Sequence, residues 1–402
     1  MTREAPIAVL GTFDSKGEEH QFLRTRIQER GCRATTINVG TKRRPSHDID
    51  IDLYREISQE KSGLSRDQVI QEVISRGRTL IRRLYENNEI SGIISAGGGT
   101  GTYISTSIMH DLPLGVPKVM VSTVASRDMS KTVGVKDITM MHSVSDILGI
   151  NTITGRILDN AAGAVCGMVK NRWEIISTKK RVALSFFGFI TRAAENVKKQ
   201  LENMGYEVVP FHANGTGGMA MMELAAEGYF NGILDLATHE LADAYMAGYC
   251  GGIGEKRYEP VPGRPIPRLI VPGGMDCIVL EFTRDNIPPQ FGDRKIFFYD
   301  FRSAIRVSAH ESRLLAGQLS EKLNMDPENV RVLIPLKGLS EADQENGPLH
   351  DPATAQVFVN ALKDGLAPGI PVKTEDLHIN EALFAERAAS MMDEMIKKSG
   401  VV

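Results

Sequence analysis

One repeated unit constrains this chain more than anything else in it. The unit is a short apolar run, a glycine-bearing polar loop and then an amphipathic helix. Ile7 to Leu10 is the first run, ending in Gly11-Thr12-Phe13-Asp14-Ser15-Lys16-Gly17. A helix follows over about 18–30, with Phe22, Leu23 and Ile27 on one face and Gly31 placed to end it. Ala34 to Val39 is the next strand. Such alternation joins parallel strands through right-handed crossovers, so the reading is α/β with largely parallel, doubly wound sheets.

The unit recurs. Ser65-Arg66-Asp67 opens a long helix to about Asn87, with Val69, Val73, Leu80 and Leu84 as its apolar stripe. Gly92 to Ala96 is a strand leading into Gly97-Gly98-Gly99-Thr100-Gly101-Thr102, which opens another helix. Pro117 to Val121 is a strand ending in Ser122-Thr123, Ile138 to His142 is one more, and Ile147 to Val169 is mostly helical. Residues 41–64, with Lys42-Arg43-Arg44-Pro45, are polar and irregular and read as an insertion or flap.

A chain of 402 residues exceeds the size of one core, so two domains are expected. The boundary falls in 170–181, which holds the only tryptophan and the run Lys179-Lys180-Arg181, read as a solvated linker. This divides the chain into 1–178 and 179–402. The second half begins as the first did, with a strand at Val182 to Ser185, a helix at Thr191 to Met204 and a strand at Tyr206 to Phe211. Overlaid without a gap, Val182 falls on Ala8, Val197 on Leu23, Leu201 on Ile27 and Gly205 on Gly31. Duplication and common geometry explain this equally, and both give two Rossmann-like subdomains. Later strands are expected at Gly232 to Leu236, Leu269 to Val271, Ile296 to Tyr299 and Val330 to Pro335. Helices are expected at Gly217 to Glu227, Ser308 to Leu323, Pro352 to Leu362 and Glu381 to Lys398.

The net charge of −3 gives no basic field for nucleic acid. No apolar stretch is long enough to span a membrane, and the first residues lack a signal-peptide pattern, so cytoplasmic residence is expected. Cys32, Cys166, Cys250 and Cys277 are far apart with no C-x-x-C pair, and read as buried free thiols.

Three loops at strand ends in the first half point to phosphate. In Gly97 to Thr102 the glycines let backbone N–H groups approach an anion, the helix start adds favourable partial charge, and Thr100 and Thr102 offer hydroxyls. The loop matches neither Walker A nor G-x-G-x-x-G. In Gly11, Thr12, Asp14, Ser15 and Lys16, the lysine suits a phosphate and Asp14 suits Mg²⁺ or a ribose hydroxyl. Ser122, Thr123 and Ser126, with Arg127 and Asp128, form the third loop. Each loop also has a packing or capping explanation. In the second half, His212, His239, Glu240, Asp276 and His310 follow strands and would make an acid/base or metal set if they converge. Their spacing is not a zinc signature, and any one histidine is better explained by packing. Met219, Met221 and Met222 read as core filler.

These loops in this order resemble the Tm-one-like ATP-binding family, otherwise an uncharacterised protein family, related to the inhibitory domain of a tomato mosaic virus resistance protein. The similar segments are GTFDSKG (11–17), SAGGGTGT (95–102), STVAS (122–126), HANGTGG (212–218), THELAD (238–243), VPGGMD (271–276), IPLKG (334–338) and HIN (378–380). They are collinear across nearly the whole chain. Arg127 stands where the family pattern has Gly. The resemblance implies two Rossmann-like subdomains, ATP bound by the N-terminal loops, and a homodimer; Mg²⁺ joins ATP as an expected cofactor through Asp14. It also implies association with a TIM-barrel partner protein in bacterial small-molecule metabolism, with no reaction assigned. Two other readings stand beside nucleotide binding. One is an enzyme (hydrolase, lyase or isomerase) acting on a small sugar or acid in the C-terminal half. The other is an interaction module for the TIM-barrel partner.

Overall fold

The structure is a computed structural model describing residues 5–42, 47–60, 63–171, 173, 178–254 and 256–400. The chain divides into two compact units, Met1–Ile176 and Ser177–Val402. Lys42 is described, whereas Arg43, Arg44 and Pro45 lie outside the described residues, as does part of the expected linker.

The first unit holds strands β1 (Ile7–Gly11), β2 (Ala34–Asn38), β3 (Ile51–Asp52), β4 (Gly92–Gly97), β5 (Lys118–Ser122) and β6 (Thr139–His142). They form one sheet in the order β3-β2-β1-β4-β5-β6, and every pairing is parallel. Its helices are α1 (Gly17–Glu29), α2 (Leu53–Glu60), α3 (Arg66–Glu86), α4 (Gly99–Met109), α5 (Ser130–Val133) and α6 (Thr152–Lys170). Two apolar layers cover the sheet. One contains Leu10, Ile37, Leu80, Ile104 and Met120, and the other Val9, Leu23, Ile27, Ile94 and Val165. Alternate residues of β1 supply opposite layers, as strand geometry dictates. The order reverses between β1 and β4, and ligands of open α/β sheets bind in the crevice at the carboxyl ends beside such a reversal.

The second unit holds β7 (Arg181–Phe186), β8 (Glu207–His212), β9 (Gly232–Ala237), β10 (Arg268–Gly273), β11 (Cys277–Leu280), β12 (Ile296–Phe298), β13 (Ser303–Arg306), β14 (Val330–Pro335) and β15 (Val372–Glu375). Its parallel sheet runs β15-β14-β10-β9-β7-β8. Its helices are α7 (Thr191–Asn203), α8 (Thr216–Ala226), α9 (His239–Tyr245), α10 (Ala309–Leu323), α11 (Pro352–Gly365) and α12 (Ala382–Ser399). Both units share a five-strand core, β2-β1-β4-β5-β6 and β8-β7-β9-β10-β14. They differ in the extra edge strand, β3 beyond β2 in one and β15 beyond β14 in the other. Gly31 and Gly205, aligned by the overlay, both end their helices at positive φ, 75° and 95°. Only glycine takes that conformation without strain.

Two expectations need correction. Residues 41–64 are not irregular throughout, since Ile51–Asp52 adds an edge strand and Leu53–Glu60 is a helix seating buried Leu53 and Ile57 one turn apart. The strand at Ile296 does not join the parallel sheet. It pairs antiparallel with β13, which also pairs β11, in a separate three-stranded sheet, order β11-β13-β12. Met221 and Met222 are buried core residues. All four cysteines are buried and free. Among the described residues no helix is long and apolar enough to cross a membrane.

Candidate functional site

A cleft of about 220 Å³ lies at the carboxyl edge of the first sheet, where the strand order reverses. Thr12, Asp14, Ser15 and Lys16 from the loop after β1 line it, with Thr41 and Lys42 from the loop after β2 and Gly98, Gly99, Thr100 and Gly101 from the loop after β4. Arg66 and Ile104 complete the wall. A larger hollow of about 510 Å³ borders Lys118 and Thr139, at the amino ends of β5 and β6. That is the edge at which such sheets do not bind ligands. Its buried lysine is already held by Asp137 at 2.7 Å and by the carbonyls of Pro113 and Val116.

The glycines of the two main loops fall into two classes. A Cβ on Gly11 would lie 2.3 Å from the His20 ring, and one on Gly97 would lie 3.1 Å from Gly101 Cα. Those two are glycine because the fold leaves no room. A Cβ on Gly99 or Gly101 would meet nothing within 4 Å, and one on Gly98 would meet only Thr123 Oγ1 at 3.7 Å. Packing does not demand glycine there, and the bare backbone leaves room for a ligand to approach. Helix α4 begins here without a side-chain cap, and its first intrahelical bond is Thr102 N to Gly98 O. The N–H groups of Gly99, Thr100 and Gly101 therefore point out of the helix into the cleft region.

Two charged residues of the cleft are held in place. Lys16 donates to the Ile147 carbonyl, which leaves two of its three ammonium protons for another acceptor. Asp14 is buried, and its Oδ2 accepts from Thr41 N at 3.0 Å and Lys42 N at 2.9 Å, bracing the loop that presents Lys42. His20 beneath the loop is kept below its ordinary pKa by burial, although Lys16 O and Ala96 N hydrogen-bond to the ring.

Other expected ligands lie outside the cleft. Thr102 and Ser122 are buried and bonded to each other, Oγ1 to Oγ at 2.7 Å, which ties α4 to β5. Ser126 and Arg127 are exposed and do not line the cleft. Arg66 and Lys42 were missed as lining residues, although Lys42 sits in a visible basic run.

In the second unit the five candidate residues occupy different settings. Glu240 is buried, pairs with buried Arg257 at 2.9 Å and accepts from Gly215 N and Gly218 N. Arg257 also pairs with Asp235. Glu240 thus anchors the HANGTGG loop. Asp276 is buried and accepts from Ser340 Oγ at 2.7 Å. His212 is exposed at the end of β8, and burial of part of its ring lowers its pKa, with the charge of His239 adding to the effect. His310 is exposed on the first turn of α10. His239 is fully buried, stacked on Phe187 with ring centroids 4.3 Å apart, and its Nδ1 lies 2.9 Å from the Gly274 carbonyl. Arg257 carried no sequence signal, because its partners Asp235 and Glu240 are remote and the segment around it is irregular.

The N-terminal domain of the uncharacterised protein family UPF0261 matches residues 5–174, and the C-terminal domain of that family matches 179–396. The chain belongs to this family. A UPF0261 protein of Clostridium tetani is 35% identical over 98% of this chain and 99% of its own length. One from Rhizobium meliloti is 33% identical over 96% and 97%. The ToMV susceptible protein tm-1(GCR26) of tomato, Solanum lycopersicum, is 31% identical over 98% of this chain but only 56% of its own length. Among solved structures, a UDP-GlcNAc 2-epimerase from Neisseria meningitidis aligns over 98% of this chain and 100% of its own. Its TM-score is 0.24 at 10% identity, too slight a likeness to argue from.

Proposed function

We propose that the N-terminal unit binds the phosphates of a nucleotide, ATP carried with Mg²⁺, in the cleft between the loops after β1 and β4. The observation that carries this reading is the open space above Gly98, Gly99 and Gly101 at the uncapped start of α4. Lys16, Lys42 and Arg66 supply positive charge around it. The cleft volume of about 220 Å³ suits phosphates, while binding sites for whole drug-sized ligands run to ~300–1,000 Å³. The nucleoside therefore extends past the cleft.

Asp14 would repel an anion unless a cation came between them. Mg²⁺ usually arrives on the phosphates with several of its own waters and takes one or two carboxylates from the protein. Asp14 is the carboxylate that lines this cleft. Isothermal titration of the full chain with MgATP tests the reading. Saturable heat is expected, with affinity about tenfold weaker in Arg66→Ala, an exposed residue outside the core. No binding by the folded chain, or full affinity in Arg66→Ala and Lys42→Ala together, would overturn it.

A further inference from the structure

The crevice beside the strand reversal of the second sheet, between β7 and β9, is filled rather than open. Phe187, just after β7, stacks on His239, just after β9. Behind that ring lie Asp243, one turn along α9, and Cys250 in the loop that follows. We propose that His239, Asp243 and Cys250 bind one divalent metal ion of the zinc class through one nitrogen, one oxygen and one sulfur.

Their ligand atoms all lie within 4.8 Å of one another, and all three residues are buried. His239 Nε2 is 3.4 Å from Asp243 Oδ1. A tetrahedral zinc ion with bonds of about 2.0–2.3 Å sets its ligands roughly 3.5 Å apart, so closure of the widest pair by roughly one ångström brings the three atoms to three of its four corners.

A second observation points to a ligand. His239 Nε2 is fully buried and makes no hydrogen bond among the described residues, with Asp243 Oδ1 at ion-pair distance instead. The other nitrogen, Nδ1, faces the Gly274 carbonyl at 2.9 Å. A donor bond there aims Nε2 into the cluster, where a metal would displace any proton it shares with Asp243 and leave the arrangement of metal-bound histidines. Asp243 is oriented in the same way. Oδ1 accepts from Val279 N at 2.8 Å and Oδ2 from Cys250 N at 2.7 Å, with lone pairs remaining.

Charge supports the same set. A neutral imidazole, one carboxylate and one thiolate around a divalent ion sum to zero, as a fully buried site requires. Cys277 also neighbours His239, but it lies outside the three-residue group, and a second thiolate would leave net negative charge. Loading displaces the Cys250 thiol proton and any proton on Nε2, with no change of oxidation state.

The test uses the full chain, stripped by chelator and titrated with Co²⁺. A thiolate-to-cobalt charge-transfer band is expected at one equivalent, displaced by Zn²⁺, lost in Cys250→Ser and retained in Cys277→Ser. X-ray absorption of the zinc-loaded wild type needs no variant to fold, and should show a single sulfur among nitrogen and oxygen ligands. Absence of the band, its survival in Cys250→Ser, or its loss in Cys277→Ser would overturn the proposal. So would a two-sulfur shell, as adjacent Cys32 and Cys166 would give.

Discussion

Alanine at Gly99 and Gly101 separates a ligand-facing glycine from a packing glycine by the sign of its effect. Both lie in the first turn of α4, and a Cβ on either meets nothing within 4 Å. Gly→Ala at a compatible helical site stabilises by roughly 0.5–1 kcal/mol, largely by restricting the unfolded chain. For a unit of this size that raises its melting temperature by about 1–4 °C per substitution. The same methyl group occupies the space through which a phosphate oxygen must pass to reach the amides at about 2.9 Å. Loss of one such charge-assisted bond weakens MgATP at least about tenfold, or ~1.4 kcal/mol. Scanning calorimetry and isothermal titration on the same preparations read both effects. Gly97→Ala is the control, since its Cβ would lie 3.1 Å from backbone, and it should destabilise. Unchanged affinity in the Gly99 and Gly101 variants, or a fall in their melting temperatures, would refute the reasoning.

Other expectations follow from the same geometry. Gly11→Ala drives a methyl into the His20 ring and should cost about 1–3 kcal/mol in urea unfolding, because the ring is buried and hydrogen-bonded to Lys16 O. Glu240→Ala leaves the Arg257 Nε and the amides of Gly215 and Gly218 without their acceptor, and should cost about 3–5 kcal/mol by the same assay. Asp14→Asn should reduce the dependence of ATP binding on Mg²⁺, measured by titration with and without chelator, because the charge needing a bridging cation is gone. Burial and the neighbouring Asp276 push Asp343 up to about 7 from an unfolded value of 3.8. Its proton therefore favours the native state fully below pH 3.8, and that contribution is lost as pH rises through about 7. The urea midpoint of wild type relative to Asp343→Asn should fall over that interval.

Much of the fold was legible because parallel strands buried on both faces are near-continuous apolar runs, and several were followed by a glycine-bearing loop. Ile7–Gly11, Gly92–Gly97 and Val330–Pro335 all read this way. Helix α2 did not, since the buried signal among its described side chains is Leu53 and Ile57 in a polar stretch. Strands β11 and β13 are four residues each, and runs that short carry no periodicity to tell strand from turn. The cleft loops were legible for the same reason as the strands. Which of their residues face the cleft was not, because that depends on contacts distant in sequence. Thr102 looks like a phosphate ligand until Ser122 takes its hydroxyl, and Gly11 looks like Gly99 until His20 fills the space above it. The grouping of His239 and Asp243 with Cys250 was hidden likewise, since Cys250 lies beyond α9 and no zinc spacing joins it to the helix.

The central claim, phosphates seated on the start of α4, is tested most directly by electron density for crystals of the full chain grown with MgATP. The account predicts phosphate oxygens within hydrogen-bond distance of the Gly99, Thr100 and Gly101 amides, with Lys16 beside them and the nucleoside extending outside the cleft. Nucleotide density seated anywhere else, with that loop empty at saturating MgATP, would contradict it.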